Sequence, residues 1–530
     1  MSTTAETPSR STPASGASLA RGTLIAGCVA VCLAQIGIAI PATLNGLFQK
    51  DLHPVGSQLT WISDAFLLPV AVLELTFGVL GDLFGRKRLL IGGAALMAVG
   101  ELVSTTSSGV HQLWVGQALA GLGAAALFPT SLAMLAAGTS GGTQRARVIA
   151  LWAACLSTGG FLAPLLGGIT ATYGSWRWSF IVVTVLAVIS AAVSTLLARD
   201  SRAPEGRSLD PAGQITIGLG LFALLFAIIQ GPEDGWGSAP VVTGFVLAAL
   251  FLAAFVAAEL RVRSPLLRLD LFANRSFAVA SIVAVVGMFS FLGTAYSVSI
   301  RLGPAQDQKP MHTAMAFLLL NGLALVLLPV TERLLHRVAP GLLTGGGLIL
   351  IAAGDFWTAT LPISDRAMTS LILPLGLVGI GFAVTVSSIT ATAVNTVPHH
   401  LEGMASATTN LLRDFGFTLG PAVIGAVALS RAGSGFTDKL DASPLPAGLK
   451  HAAMEVLHEG GPLGINSASA AAPPLKPVHS MALEAVGHGY SIGFVVCGAA
   501  ALASALLTLL TLRGADRSAV EADAPGADAP

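Results

Sequence analysis

Six ionisable side chains sit where the surrounding sequence is apolar: Asp64, Glu74, Glu101, Asp355, Arg413 and Asp414. A charge at the centre of a membrane helix costs roughly 2.5–3.5 kcal/mol, so each must face a cavity, find a partner or carry a proton. The chemistry open to such groups is proton binding and release. Glu74 leads the candidates for proton coupling, the alternative being a protonated structural hydrogen-bonder. It lies about 12 Å along a helix from Asp82, at the polar end of its segment. Glu101 and Asp355 are candidates for coupling or substrate contact. Asp64 reads as a polar anchor near the outer end of its segment. Arg413 and Asp414 are neighbours and read as a local structural contact or as lining of an inner path.

Other chemistries find little support. No Ser/His/Asp constellation and no nucleotide-binding glycine pattern is visible. The ten His lie mostly near ends or loops, with His399 and His400 at a helix end. Cys28, Cys32, Cys155 and Cys497 all fall in apolar runs and read as small core residues, not as metal ligands or disulfides. We therefore expect no enzyme, no cofactor, no metal and no ATP motor. Formal net charge is zero, so nothing suits nucleic acid.

The elements that hold these residues follow from composition. Of 530 residues, 53% are hydrophobic and only 11% charged, too few to wet the surface of a soluble protein. A helix crosses a bilayer with ~20 apolar residues. Spans read near 24–46, 60–80, 89–107, 112–137, 148–170, 177–197, 214–231, 239–259, 276–300, 312–331, 342–362, 368–393, 404–429 and 488–511. The expected fold is an all-α polytopic membrane protein with fourteen spans. The first apolar run is too long for a signal peptide. Basic residues such as Arg86, Lys87, Arg88, Arg145, Arg147, Arg199 and Arg202 collect on one side, which places both termini in the cytosol. Residues 1–20 and 513–530 read as disordered tails. The Gly/Ala/Ser/Pro-rich stretch 431–487 reads as a flexible extracellular loop with one short helix near 448–458.

Two motifs sharpen this reading. GVLGDLFGRKRLL (78–90) joins the second and third spans, with Asp82 and Arg86 at helical pairing distance. STGGFLAPLLGG lies in the fifth span, its glycines allowing tight packing and Pro164 removing a backbone donor. The first resembles the signature loop of the major facilitator superfamily through Gly78, Asp82, Gly85, Arg86 and Lys87. The second is similar to the antiporter motif of its drug-exporting branches through Gly159, Pro164, Gly167 and Gly168, with Ala163 where Gly is usual. SWRWSF (175–180) and NLLRDFGFTLG (410–420) resemble the sixth and thirteenth helices of the fourteen-helix drug:proton antiporter family.

That resemblance implies the major facilitator fold. An N-terminal six-helix bundle spans 21–198, a linker with two additional helices 199–260, and a C-terminal six-helix bundle 261–512. It implies alternating access around a central cavity. The chain departs from the family where coupling is usual. Cys32 stands at the position of a helix 1 Asp, and Gly37 at that of its Asn partner. Gln117 stands at the helix 4 Arg position, and Ala120 at that of a Gln. Gln35, Phe66, Phe77, Gln117, Phe128, Phe382 and Phe415 are candidates for a broad apolar substrate surface, since aromatic surfaces accept varied ligands. The expected function is proton-driven efflux of lipophilic drugs or natural products by a monomer in a bacterial inner membrane. The alternatives are uptake or lipid-like transport without tight coupling, and a membrane sensor that moves nothing. The expected partners are a lipophilic small molecule, protons and the lipid bilayer.

Overall fold

The structure, a computed structural model, describes residues 20–139, 142–203, 209–262, 265–397 and 402–512. The two tails and His399–His400 lie outside the described residues. Fourteen stretches are helical, long and apolar enough to cross a membrane, and no strand occurs among the described residues.

Six helices build the first bundle: α1 (Arg21–Asp51), α2 (Gln58–Phe84), α3 (Arg86–Thr105), α4 (Val110–Ala137), α5 (Gly142–Tyr173) and α6 (Trp176–Leu197). Two more, α7 (Pro211–Asp234) and α8 (Ala239–Glu259), follow as a hairpin. The second bundle begins with α9 (Arg275–Ile300), which runs on into a π-turn, Arg301–Ala305. Its next span is α10 (Pro310–Phe317) and α11 (Leu323–Leu335), joined by a second π-turn, Leu318–Gly322. Then come α12 (Pro340–Thr360), α13 (Thr369–Val394), α14 (Glu402–Ala442), α15 (Ala447–Ala471) and α16 (His479–Thr511).

Local chemistry sets the helix ends. Asp210 caps α7 by accepting from the Gly213 amide at 2.8 Å, and Asn274 caps α9 through the Ser276 amide at 2.9 Å. Between α2 and α3 the chain turns at Gly85, with φ +111°, a conformation that disfavours every residue with a Cβ. The sharp turn places Arg86 on the next helix, where its Nε and Nη2 donate to one Asp82 oxygen at 3.0 and 2.7 Å.

One apolar core lies around Phe48, Phe66 and Phe180 and runs on into the second bundle through Tyr296, Ile300, Leu429 and Tyr490; another, around Phe291, Phe317 and Phe494, lies in the second bundle. The bundles meet at the end opposite the Asp82–Arg86 turn. Asn45 donates to Ser299 at 2.9 Å, Lys50 pairs with Asp307 at 2.6 Å, and the Thr60 and Tyr296 hydroxyls share a hydrogen bond of 2.7 Å. Gly46 and Gly303 permit this approach: a Cβ on Gly46 would lie 2.7 Å from the Gly303 Cα.

One region differs from the sequence reading. Most of 431–487 is helical instead of flexible. Helix α14 continues to Ala442, α15 is twice the expected length, and α16 already begins at His479. Phe436, Leu440, Ala453, Ile465, Leu475 and Val478 form a small separate core there. Sparse apolar residues among Gly, Ala and Ser suffice because the small ones let the helices approach closely. Gly461, at φ +66°, kinks α15 and brings it onto Gly56, whose amide reaches the Gly460 carbonyl at 3.4 Å.

The contact between bundle ends can be tested by cross-linking. With the four native cysteines replaced by serine, the pair Asn45→Cys and Ser299→Cys should form a disulfide under mild oxidation. The read-out is a gel after cleavage at a protease site engineered between α6 and α7. Two separate fragments would show that these helix ends do not meet.

Candidate functional site

A central cavity of about 290 Å³ lies between the bundles. Helices from both bundles supply its wall, and the ionisable part of that wall is Glu74 from α2 with Arg413 and Asp414 from α14. The Glu74 and Asp414 carboxyls lie within hydrogen-bonding reach of each other across the bundle interface, and the charge of the Arg413 guanidinium acts on both. Two carboxyl groups can share a hydrogen bond only when one carries a proton, because two carboxylates offer four acceptors and no donor. With that proton the triad of two acids and one Arg is electrically neutral. Arg413 also donates to the Asn410 side chain at 3.3 Å, and its Nε has no protein partner.

Helix α2 is held in place locally around Glu74. Pro69 removes one backbone donor within α2. On the next turns α7 buttresses the helix: Gln214 donates to the Val72 carbonyl at 2.8 Å, and the Thr76 hydroxyl donates back to Gln214. Near the other end of α7, Glu233 accepts from the Ser57 amide at 3.1 Å and the Ser57 hydroxyl at 2.8 Å. Glu74 thus sits on a stretch of α2 bonded to α7 above and below.

The other acids lie off the cavity. Glu101 is 1% exposed within the first bundle, and its Oε2 has no partner. Asp355 is fully buried behind α9, where one oxygen accepts from Thr294 at 2.7 Å. Asp64, expected as an outer anchor, is completely buried beside Tyr296, with neither carboxyl oxygen bonded. Of the three coupling candidates, Glu74 alone reaches the cavity.

Of the candidates for substrate contact, Gln35, Phe66, Phe128 and Phe382 line the cavity. Phe77 packs against the first core, and Phe415 packs in an apolar cluster with Leu411 beside α2 and α8. Gln117 is spent between α3 and α4, donating to Ser104 at 3.0 Å. Sequence reasoning missed Trp152, Tyr296, Asn321, Asn410 and Phe417 on the wall. Two of these are amides within apolar spans, the same signal that marked Gln35. The stacked rings of Phe291 and Phe382, 3.6 Å between centroids, form a flat apolar face.

The motif residues shape the frame. Lys87 donates to the Thr195 carbonyl at 2.7 Å and its amide to Asp200 at 3.2 Å, while the Arg86 amide donates to the Ser201 carbonyl at 3.1 Å. The signature turn therefore grips the start of the linker after α6. Gly78 has room for a Cβ, with Pro129 at 3.5 Å. In α5, Gly159 and Gly167 meet α1 at Cys32 and Thr43, whereas Gly168 meets Ala314 of the second bundle. Pro164 is buried between them. Among the described residues, no group of three or more His, Cys, Asp or Glu is arranged to hold a metal.

Comparison with known proteins agrees with this architecture. The family model of the Major Facilitator Superfamily matches residues 25–421. A tetracenomycin C resistance and export protein of Streptomyces glaucescens is 30% identical over 94% of this chain and 93% of its own length. A puromycin resistance protein of Streptomyces alboniger is 30% identical over 76% of this chain and 81% of its own. Among solved structures, a bacterial homologue of the human lysosomal transporter Spinster, inward-facing and unoccupied, superposes with a TM-score of 0.65. Its identity is 16%, and the match covers 95% of this chain and 98% of that one. A peptide transporter solved with sulfate gives a TM-score of 0.61 at 17% identity, over 94% of this chain and 95% of that one. With a family match over most of its length, fourteen spans and a cavity between two bundles, this chain belongs to the Major Facilitator Superfamily and is a multi-pass membrane transporter.

Proposed function

We propose that the protein exports a lipophilic, largely aromatic small molecule in exchange for protons. The observation that carries this reading is the Glu74–Asp414–Arg413 triad on the cavity wall. It stores one proton at the interface of the two bundles. Loss of that proton sets two carboxylates against each other and leaves Arg413 to compensate only one of them. Proton occupancy then biases whether α2 and α14 stay together, which is what coupling requires. Each proton moved inward supplies about 1.4 kcal/mol per unit of pH difference, enough to sustain a tenfold substrate gradient.

The triad takes the place of the family's helix 1 Asp and helix 4 Arg, where this chain has Cys32 and Gln117. The substrate class follows from the wall. Phe66, Phe128, Phe291, Phe382 and Trp152 offer flat apolar contact, while Gln35, Asn321 and Asn410 offer amides to carbonyl and hydroxyl groups. The resistance and export roles in the names of the two Streptomyces relatives support the outward direction. We place the protein in a bacterial inner membrane, a monomer with both termini cytosolic, and the cavity opening toward the Asp82–Arg86 end.

Transport into proteoliposomes tests this directly. An aromatic test compound should accumulate when a pH gradient is imposed, and accumulation should fall at least about tenfold in Glu74→Gln and in Asp414→Asn. Substrate binding should survive both changes, since each keeps a neutral hydrogen-bonding side chain. Equal flux with and without the gradient would remove tight coupling and favour the uncoupled transporter. Binding without flux across a broad panel would favour a sensor.

A separate expectation concerns Arg413. Arg413→Gln should lower the thermal stability of the purified protein, and adding Glu74→Gln together with Asp414→Asn should recover part of the loss. The expected coupling is on the order of 1 kcal/mol, because these groups share one network. Additive losses would mean that Arg413 does not act on the two acids.

A further inference from the structure

Two other acids meet outside the central cavity, at the base of the α7–α8 hairpin. Asp210 is the N-cap of α7 and Glu259 the last residue of α8; they are 7% and 5% exposed. Each has one oxygen satisfied by the backbone. Asp210 Oδ1 accepts from the Gly213 amide at 2.8 Å, and Glu259 Oε2 accepts from the Leu267 amide at 2.9 Å. The remaining oxygens, Asp210 Oδ2 and Glu259 Oε1, are buried and lack a donor. Both point at one spot: each lies 2.5 Å from where a Cβ on Gly213 would stand. They are also within hydrogen-bonding reach of each other.

We infer that Asp210 and Glu259 form a second proton-binding site, which latches the first turn of α7 to the end of α8 and holds Glu259 where the Leu267 amide of the connector reaches it. Two facing acceptor oxygens sealed from water need a positive species between them, and the space over a glycine suits a proton. Helix ends decide where it resides. The α7 N-terminus favours the negative charge of Asp210, while the α8 C-terminus disfavours one on Glu259. The proton belongs to Glu259, which donates to Asp210 and accepts from Leu267.

Among the described residues, Asp210 is the one charge that acts on Glu259, which the Leu266 amide also reaches; Arg261, two residues on, is exposed. Arg268 on the connector is exposed and pairs with Asp270, whose carboxyl it holds below the usual range. On α14, Arg413 is engaged with Asp414 and Glu74 at the cavity. The side chains packed around this junction are Ile217, Leu221, Phe255, Leu267 and Leu411. Among the described residues, deprotonation of Glu259 meets no compensating cation, and the two carboxylates repel. The latch loosens as pH rises and holds when pH falls. This site is independent of the cavity triad and does not rest on the export reading.

Hydrogen exchange reads the latch through its own two amides, Gly213 and Leu267. The full chain in lipid nanodiscs is compared near pH 6 and near pH 8.5, with exchange times scaled for intrinsic rates. Peptides covering 209–215 and 265–270 should lose about tenfold in protection at the higher pH. Glu259→Gln, which can donate to Asp210 and accept from Leu267 as the protonated acid does, should stay protected at both. Gly213→Ala, which crowds both oxygens, should be unprotected at both. Protection in the parent that does not change with pH overturns the proposal, even if a variant fails to fold. So does protection that follows replacement of sodium by choline at fixed pH, which would identify a metal cation as the occupant. Equal pH-dependent loss in the parent and Glu259→Gln would also overturn it.

Discussion

A hydrogen bond between two carboxyl groups on different bundles sets the terms for the rest of this structure. Glu74 and Asp414 can hold each other only while one proton is present. At the opposite end, the bundles touch through groups that mostly need no proton: Asn45 with Ser299, Thr60 with Tyr296, and the close pass of Gly46 and Gly303. The two contacts thus respond differently to protonation. One weakens when its proton leaves; the other is indifferent. In the proposed cycle that asymmetry converts proton binding into a preference for one opening over the other.

The additional hairpin is hydrogen-bonded to the acid-bearing helix and meets its partner through apolar packing. Helix α7 is hydrogen-bonded to the first bundle near both ends, through Gln214 with Val72 and through Glu233 with Ser57. Toward α14 it presents Leu225 and Ile229, which pack on Ala422 and Leu419 without specific bonds. Apolar contacts can slide with little penalty, whereas buried hydrogen bonds resist separation. In the proposed cycle the hairpin moves with α2, keeping Glu74 fixed in its own frame while Asp414 approaches and departs.

How much of this was legible in the sequence depends on the range of the interaction. The fourteen spans were legible, because a bilayer imposes a length and a composition that a local window detects. Glu74 was legible as an acid in an apolar segment. Its partner was not. Asp414 is distant in sequence, and no periodicity in α14 tells which of its faces will meet α2. The same limit explains the aromatic candidates. Phe66 and Phe382 reached the cavity, but Phe77 and Phe415 belong to other helix faces, since an aromatic side chain suits a cavity wall and a packed core equally well. The 431–487 segment misled for a different reason. Its Gly/Ala/Ser composition matches flexible chain, yet a few residues such as Phe436 and Ile465 are enough to close a core when small neighbours let helices approach.

The most direct test of the central claim counts protons. Purified protein in weakly buffered detergent solution is mixed with an aromatic ligand, and proton release is followed with a pH dye. If the triad holds a proton that substrate displaces, the parent releases close to one proton per bound ligand near neutral pH, and Glu74→Gln releases none. Ligand binding by the parent with no proton release, or with the same release in Glu74→Gln, would contradict it.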